Sequence, residues 1–165
     1  MHEITVKPRP WHPIISQLAA TPFGIRLLSD TLHRIDKPLL RLSRNRTSFT
    51  SMLAGLPVVV LTTTGAKSGL QRHTPLVALA EGDRIILIAS YFGSSRHPAW
   101  YHNLRANPRV RISYKGQTGE FLARVSSGEE CEHFWQLAAD LYPGYQLYQQ
   151  KAGDRQIPVV VLEPL

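Results

Sequence analysis

The sequence predicts a mainly β fold with flanking helices (α+β), a small barrel with a basic helical extension at its N-terminal side. Three observations carry this. Between residues 56 and 163, six runs rich in Val, Ile, Leu and Thr are separated by short connections bearing Gly, Pro or Asn. Only two stretches among them have helical spacing. Six strands with short links and few helices suit a closed sheet, whereas a doubly wound sheet alternates strand and helix. The chain also changes character near residue 50, which predicts an extension over 1–50 and a barrel domain over 51–165.

Residues 1–13 are rich in Pro and His and read as an irregular arm. From Phe23 to Leu42 apolar side chains fall at Phe23, Leu27, Leu28, Leu32, Ile35, Leu39 and Leu42, a helical spacing that Pro38 should kink. The polar side carries Arg26, Arg34, Lys37, Arg41, Arg44 and Arg46 against Asp30 and Asp36. Such a helix can make a peripheral contact with an anionic membrane surface, or pack on its own domain or a second subunit. Candidate strands then cover 56–64, 71–80, 84–91, 109–115, 118–126 and 157–163, with turns at 81–83 and 115–117. One helix is expected over 97–106, stopped by Asn107-Pro108. A second begins after Ser127, where Ser127 and Glu130 have capping-box spacing, and it ends at Pro143.

A length of 165 residues is enough for one domain with a sizeable core. Cys131 is the sole cysteine, so neither a disulfide framework nor a Cys-based zinc site is expected. No apolar run approaches the roughly 18 residues that span a bilayer. The first residues lack the apolar core of a signal peptide. A cytoplasmic location is expected, at the inner face of the membrane if the basic helix docks there. The net charge of +7 favours an anionic partner.

Residues 61–72 hold the densest chemistry. Gly65 and Gly69 flank Lys67 and Ser68, Thr63 and Thr64 precede the turn, and Arg72 follows it. Glycines let backbone amides approach an anion, and the two cations add fixed charge. The order Gly-Ala-Lys-Ser-Gly is not a nucleotide P-loop, which runs Gly, four residues, then Gly-Lys-Ser/Thr into a helix. A plain hairpin with a basic tip accounts for it equally well. Next, Ser90 and the 92–96 Gly/Ser loop follow a buried strand, a common place for a binding site. Trp100 and Tyr101 could flank a ring system; alternatively Trp100 and Leu104, four apart, anchor their helix to the barrel. Tyr142, Tyr145 and Tyr148 recur every three residues, placing three phenols on one slowly drifting helix face, either a packing face or a surface that stacks on a planar substrate and donates a proton. The histidines lack ligand spacing, so no metal is expected. No hydrolase or dinucleotide signature is present. The pattern suits an enzyme whose chemistry belongs to a bound cofactor.

The motifs Leu61-Thr-Thr-Thr-Gly-Ala-Lys-Ser-Gly69, Arg72-His-Thr-Pro-Leu76, Asn103-Leu-Arg-Ala-Asn-Pro108, Tyr142-Pro-Gly-Tyr-Gln-Leu-Tyr148 and Arg155-Gln-Ile-Pro-Val-Val-Val-Leu-Glu-Pro164 resemble those of the deazaflavin-dependent nitroreductase family. The resemblance covers about residues 55–165. It implies a flavin-reductase-like split β-barrel that binds reduced coenzyme F420, a deazaflavin with a phosphate and an oligoglutamate tail. It further implies hydride transfer to a quinone, a nitroaromatic or an activated alkene such as an enone. By the same resemblance Lys67 and Arg72, with Thr64 and Ser68 beside them, hold the phosphate and tail. Thr74, Pro75, Leu76, Val77, Ile88, Ala89 and Ser90 line the deazaflavin, and residues 99–103, with Trp100 and Asn103, close one side. Tyr142, Tyr145 and Tyr148 shape the acceptor pocket, with Tyr145 nearest the cofactor and Ser90 a second polar contact. Ala66 stands where family members often carry Arg, which weakens the expected tail contact, and the 92–96 loop departs from the commoner forms, which leaves the acceptor class open.

Two other classes compete. One is an FMN- or haem-binding split-barrel protein, separable by the chromophore bound. The other is a non-catalytic basic module for membrane or nucleic acid. Nucleic acid is not expected, because zinc-finger and RNP motifs are missing and the aromatics are not interleaved with the arginines. Monomer and homodimer are both compatible with the sequence.

Overall fold

The computed structural model describes residues 57–165. The arm, the basic helix and the 1–50 extension expected from the sequence lie outside the described residues. The strands are Val58–Thr64 (β1), Gln71–Glu81 (β2), Arg84–Ile88 (β3), Arg109–Tyr114 (β4), Gln117–Val125 (β5) and Val159–Pro164 (β6). The helices are Ala99–Ala106 (α1), Gly128–Leu141 (α2) and Gly144–Lys151 (α3). The strands close into a barrel in the order β1-β2-β3-β6-β5-β4, and every pairing is antiparallel.

Strand alternation divides the apolar side chains between two cores. Val59 and Leu61 share the barrel interior with Ala78, Ile85, Leu87, Val110, Ile112, Phe121, Val160 and Leu162. Helix α1 plugs this interior with Trp100, Tyr101 and Leu104. The alternate positions Ile86, Ile88, Val159 and Val161 face outward, beneath Phe134 and Ala138 of α2 and Tyr145 and Tyr148 of α3. Strands β3 and β6 are therefore buried on both faces. That explains why they read as unbroken apolar runs rather than alternating ones.

Three local expectations are corrected. The third strand ends at Ile88 rather than 91, because Tyr91, Phe92 and Gly93 turn at φ 48°, 55° and 74° and cannot continue a ladder. The capping box does not form. Ser127 makes no side-chain cap bond, and Glu130 instead accepts from Arg124 at 2.5 and 2.7 Å and from Arg84 at 3.4 Å. Charge-assisted, two-pronged bonds to arginine outcompete a backbone amide for that carboxylate. The three tyrosines also do not share one helix. Tyr142 ends α2 with extended backbone (φ −146°), and α3 starts after Pro143.

Candidate active site

The barrel opens along one side of β2. This strand pairs with β1 from Gln71 to Val77 but with β3 only from Ala78 to Glu81. Past Ile88 the chain turns away, so residues 71–77 keep one unpaired edge. Pro75 sits there without cost, since it has no N–H to offer a ladder. The strip Thr74, Pro75, Leu76 and Val77 along that edge is half-buried, and past the end of β3 Ala89 is buried and Ser90 half-buried.

At the β1–β2 end lies the glycine turn. The Gly65 N–H donates to Leu70 O and the Gly69 N–H to Gly65 O, both at 2.8 Å. Asn103 of α1 fixes the turn from outside. Its Oδ1 accepts from the Ala66 N–H at 3.0 Å and its Nδ2 donates to Thr63 Oγ1 at 3.1 Å. A Cβ at Gly65 would lie 2.6 Å from Ser68 Oγ and 3.2 Å from Leu70 O, so a side chain there would displace the Ser68 hydroxyl and crowd the turn. Lys67, Ser68 and Arg72 are exposed, Thr64 is half-buried, and neither cation has an ion pair among the described residues. The turn is thus a rigid, uncompensated cationic tip, and its chemistry fits an acidic tail and phosphate.

At the other end Tyr145 meets Tyr142 and Tyr148 edge to face, with ring centroids 5.5 and 6.1 Å apart, while Tyr142 and Tyr148 are tilted at 6.0 Å. The Tyr142 and Tyr148 hydroxyls lie 3.4 Å apart, which leaves Tyr145 outside that pair. Burial pushes all three phenols above the ordinary tyrosine range; in Tyr142 the Tyr148 hydroxyl partly offsets it. All three are therefore protonated donors at neutral pH. Val77 and Phe92 pack against the outer core that these rings share with Ile86, Ile88 and Val161, Phe92 edge-on to Tyr148 at 5.9 Å.

The Tyr91–Gly93 turn joins the gap to α3. Two consecutive non-glycine residues in the left-handed region cost about 1–3 kcal/mol each, and such strain concentrates at functional sites. Gly93 is required for a second reason, since a Cβ there would stand 2.8 Å from Tyr148 O. Tyr91 is exposed. Trp100 and Tyr101, by contrast, are buried in the barrel core, so they anchor α1 there. Among the described residues no three of His, Cys, Asp and Glu gather as a metal would need. No helix among them is long and apolar enough to cross a membrane.

Sequence reasoning missed Arg155. Its Nε donates to Ser94 O at 2.7 Å, its Nη1 to Ala89 O at 3.2 Å and its Nη2 to Ser90 O at 2.6 Å. The only signal was its place at the head of the last quoted motif. His97 lies 3.3 Å from Arg155 Nη1 through its Nδ1 and packs at a tilt on Tyr101 with centroids 4.8 Å apart. Burial, then the nearby Arg155, His102 and Arg105, lower its pKa.

The profile of one family, the F420H(2)-dependent quinone reductases, matches residues 37–164. The chain belongs to this family. It is therefore an oxidoreductase, and reduced coenzyme F420 is its cofactor. It is 35% identical over 108 residues to an F420H(2)-dependent quinone reductase of Mycobacterium tuberculosis (strain H37Rv), covering 64% of this chain and 72% of that one. A solved F420-H2 dependent reductase is 44% identical, with a TM-score of 0.60 over 65% of this chain and 94% of its own. A structure described as a domain-swapped dimer is 39% identical, with a TM-score of 0.63 over 77% of this chain and 95% of its own. The fold is the expected split barrel. A haem storage protein of Vibrio cholerae shares that fold alone, at 12% identity and a TM-score of 0.51 over 80% of this chain and 91% of its own.

Proposed function

We propose that the protein passes a hydride from reduced coenzyme F420 to a quinone in the gap beside β2. The observation that carries this is the strand segment Arg72 to Val77. At a rise of about 3.3 Å per residue it runs roughly 17 Å from the cationic tip to Val77, which packs on the core that holds the tyrosines. A cofactor with a flat ring at one end and an acidic tail at the other needs that separation. When bound, the coenzyme supplies the hydride.

The chain's own residues then have distinct tasks. Lys67 and Arg72, with Thr64 and Ser68, hold the tail and phosphate. The edge Thr74–Val77 and the facing Ile88, Ala89 and Ser90 receive the ring, with Asn103 fixing the turn and Trp100 anchoring α1 behind it. Tyr142 and Tyr148 set the walls for the acceptor. Tyr145 carries its phenolic proton at neutral pH and donates it to the reduced acceptor oxygen, with Ser90 as a second polar contact. The quinone as acceptor is supported by the name of the M. tuberculosis relative. Nitroaromatics and enones extend the same chemistry to other electron-poor acceptors.

The protein acts as a homodimer in this reading, supported by the 39% identical domain-swapped structure. The basic segment before residue 50 forms a unit distinct from the barrel and holds it at an anionic membrane, where a lipid-soluble quinone resides. Titration of the purified chain with F420 and with FMN, followed by quinone, nitroaromatic and enone screens, tests the reading. Tight FMN binding without F420 binding would overturn it. Equal sedimentation with anionic vesicles of the full chain and of a chain starting near Thr50 would remove the membrane role.

A further inference from the structure

Arg155 is placed unlike any other arginine among the described residues. Three of its nitrogens donate to three backbone carbonyls, those of Ala89, Ser90 and Ser94. These carbonyls bracket the Tyr91–Gly93 turn on both sides. The third strand has just ended there, so the Ala89 and Ser90 carbonyls have left the ladder. The Ala89 N–H still reaches Pro158 O at 2.9 Å, and the Gly93 N–H reaches Ser90 O at 3.1 Å. No carboxylate pairs with Arg155 among the described residues, and burial alone lowers its pKa. A half-buried guanidinium without a counter-ion is a costly way to hold a loop. Its planar fork is the one side chain that can serve three carbonyls at fixed angles.

The loop it holds is the one that matters for the reading above. One flank, Ala89 and Ser90, follows directly on β3, the strand whose end leaves the 71–77 edge of β2 unpaired. The middle bears on α3, where Phe92 packs on Tyr148 and Gly93 leaves no room for a Cβ. Tyr145 lies in the same helix, so any release of the loop is passed to the acceptor wall. The cationic tip that takes the tail lies at the other end of Arg72–Val77 and does not touch this loop.

We infer that Arg155 is a positioning residue for the reaction, locking the strained 89–94 loop so that Ser90 and the α3 tyrosines face the acceptor. This rests on the function proposed above. It separates two properties that a merely structural arginine would not: acceptor turnover depends on Arg155 far more steeply than coenzyme affinity does, because the distant cationic tip still holds the tail when the Ala89–Ser90 flank loosens around the ring.

The test uses full-length wild type, Arg155→Lys and Arg155→Met. The F420 dissociation constant, kcat and KM for a water-soluble quinone, and Tm are measured for each. Arg155→Met is also assayed with millimolar guanidinium chloride. F420 affinity should fall several-fold less than quinone turnover does in both variants, since the tip that holds the tail is untouched. The kcat/KM for the quinone should fall at least tenfold in both, because lysine cannot reach three carbonyls at once. Added guanidinium should raise turnover of Arg155→Met at least threefold and leave wild type unchanged. Turnover of Arg155→Lys within twofold of wild type overturns the inference. So does a loss of turnover matched by an equal loss of F420 affinity, or one that guanidinium does not relieve. Hydrogen exchange in wild type gives an answer independent of the variants: the Gly93 and Ser94 amides, which donate to Ser90 O and Tyr91 O, should exchange slowly. Fast exchange there also overturns it. A wild type that binds no F420 would instead defeat the proposed function, with the exchange result still deciding whether the loop is held.

Discussion

At the scale of single residues, the two ends of the β2 edge make separable demands. Lys67 and Arg72 are exposed cations with nothing to support in the fold, so their removal should leave Tm within a degree or two of wild type. Lys67→Ala is expected to weaken F420 binding roughly tenfold or more, as the loss of one charge-assisted contact does. Arg72→Ala should do the same. Unchanged affinity in both would move the tail elsewhere. Tyr145 is tested by removing its hydroxyl alone. Tyr145→Phe should keep coenzyme affinity and lower quinone turnover by about 10²-fold or more, the contribution of a general acid. Burial holds that phenol well above the ordinary tyrosine value, so its acid form should persist throughout the neutral range. Turnover within about twofold of wild type would make Tyr145 packing, with solvent providing the proton.

At the scale of elements, α1, α2 and α3 each hold part of the site in register, and their anchors set the stability. Phe134 is the largest fully buried side chain among the described residues and ties α2 to the outer face of β3 and β6. Phe134→Ala should cost about 3–5 kcal/mol and lower Tm accordingly, read by calorimetry. His97 meets α1 through the Tyr101 ring and accepts from Arg155 through Nδ1, a role that requires the neutral ring. Its folded pKa lies below the unfolded value near 6.5, so both states are neutral above that pH and the group has no effect there. As pH falls below about 6.5 the unfolded chain takes up the proton first, and stability declines until the folded pKa is passed. His97→Gln should flatten that part of the Tm-against-pH curve; an unaltered curve would place the acid sensitivity elsewhere. The elements themselves were largely legible, because turn residues such as Glu81-Gly-Asp83 and Lys115-Gly-Gln117 stand between runs of matching period. What escaped was set by tertiary partners. Glu130 has the spacing of a cap, yet Arg124 and Arg84 arrive from β5 and β3 to claim it. Tyr142 fits a helical period of three, yet the chain breaks at Pro143. Arg155 carries no local signature, since its three acceptors lie more than sixty residues upstream. The cationic turn could be read because glycines, lysine and arginine are adjacent in sequence, whereas the unpaired β2 edge depends on where β3 stops.

At the scale of the whole molecule, a net charge of +7 and an acidic coenzyme tail predict an association rate that falls with ionic strength. Stopped-flow binding of F420 between about 20 and 200 mM salt should show that fall, and a rate indifferent to salt would restrict the charge to local contacts. The central claim is that this barrel oxidises reduced F420 at the expense of a quinone. The most direct measurement mixes the purified chain with reduced F420 and a quinone and follows the oxidised deazaflavin chromophore, with FMN-loaded protein as the control. The account predicts oxidation of reduced F420 that requires both quinone and enzyme, is stoichiometric with quinone reduced, and is lost in the Lys67→Ala/Arg72→Ala double variant at limiting coenzyme. Quinone reduction that proceeds with FMN but not with F420, or an unchanged rate in the double variant, would contradict it.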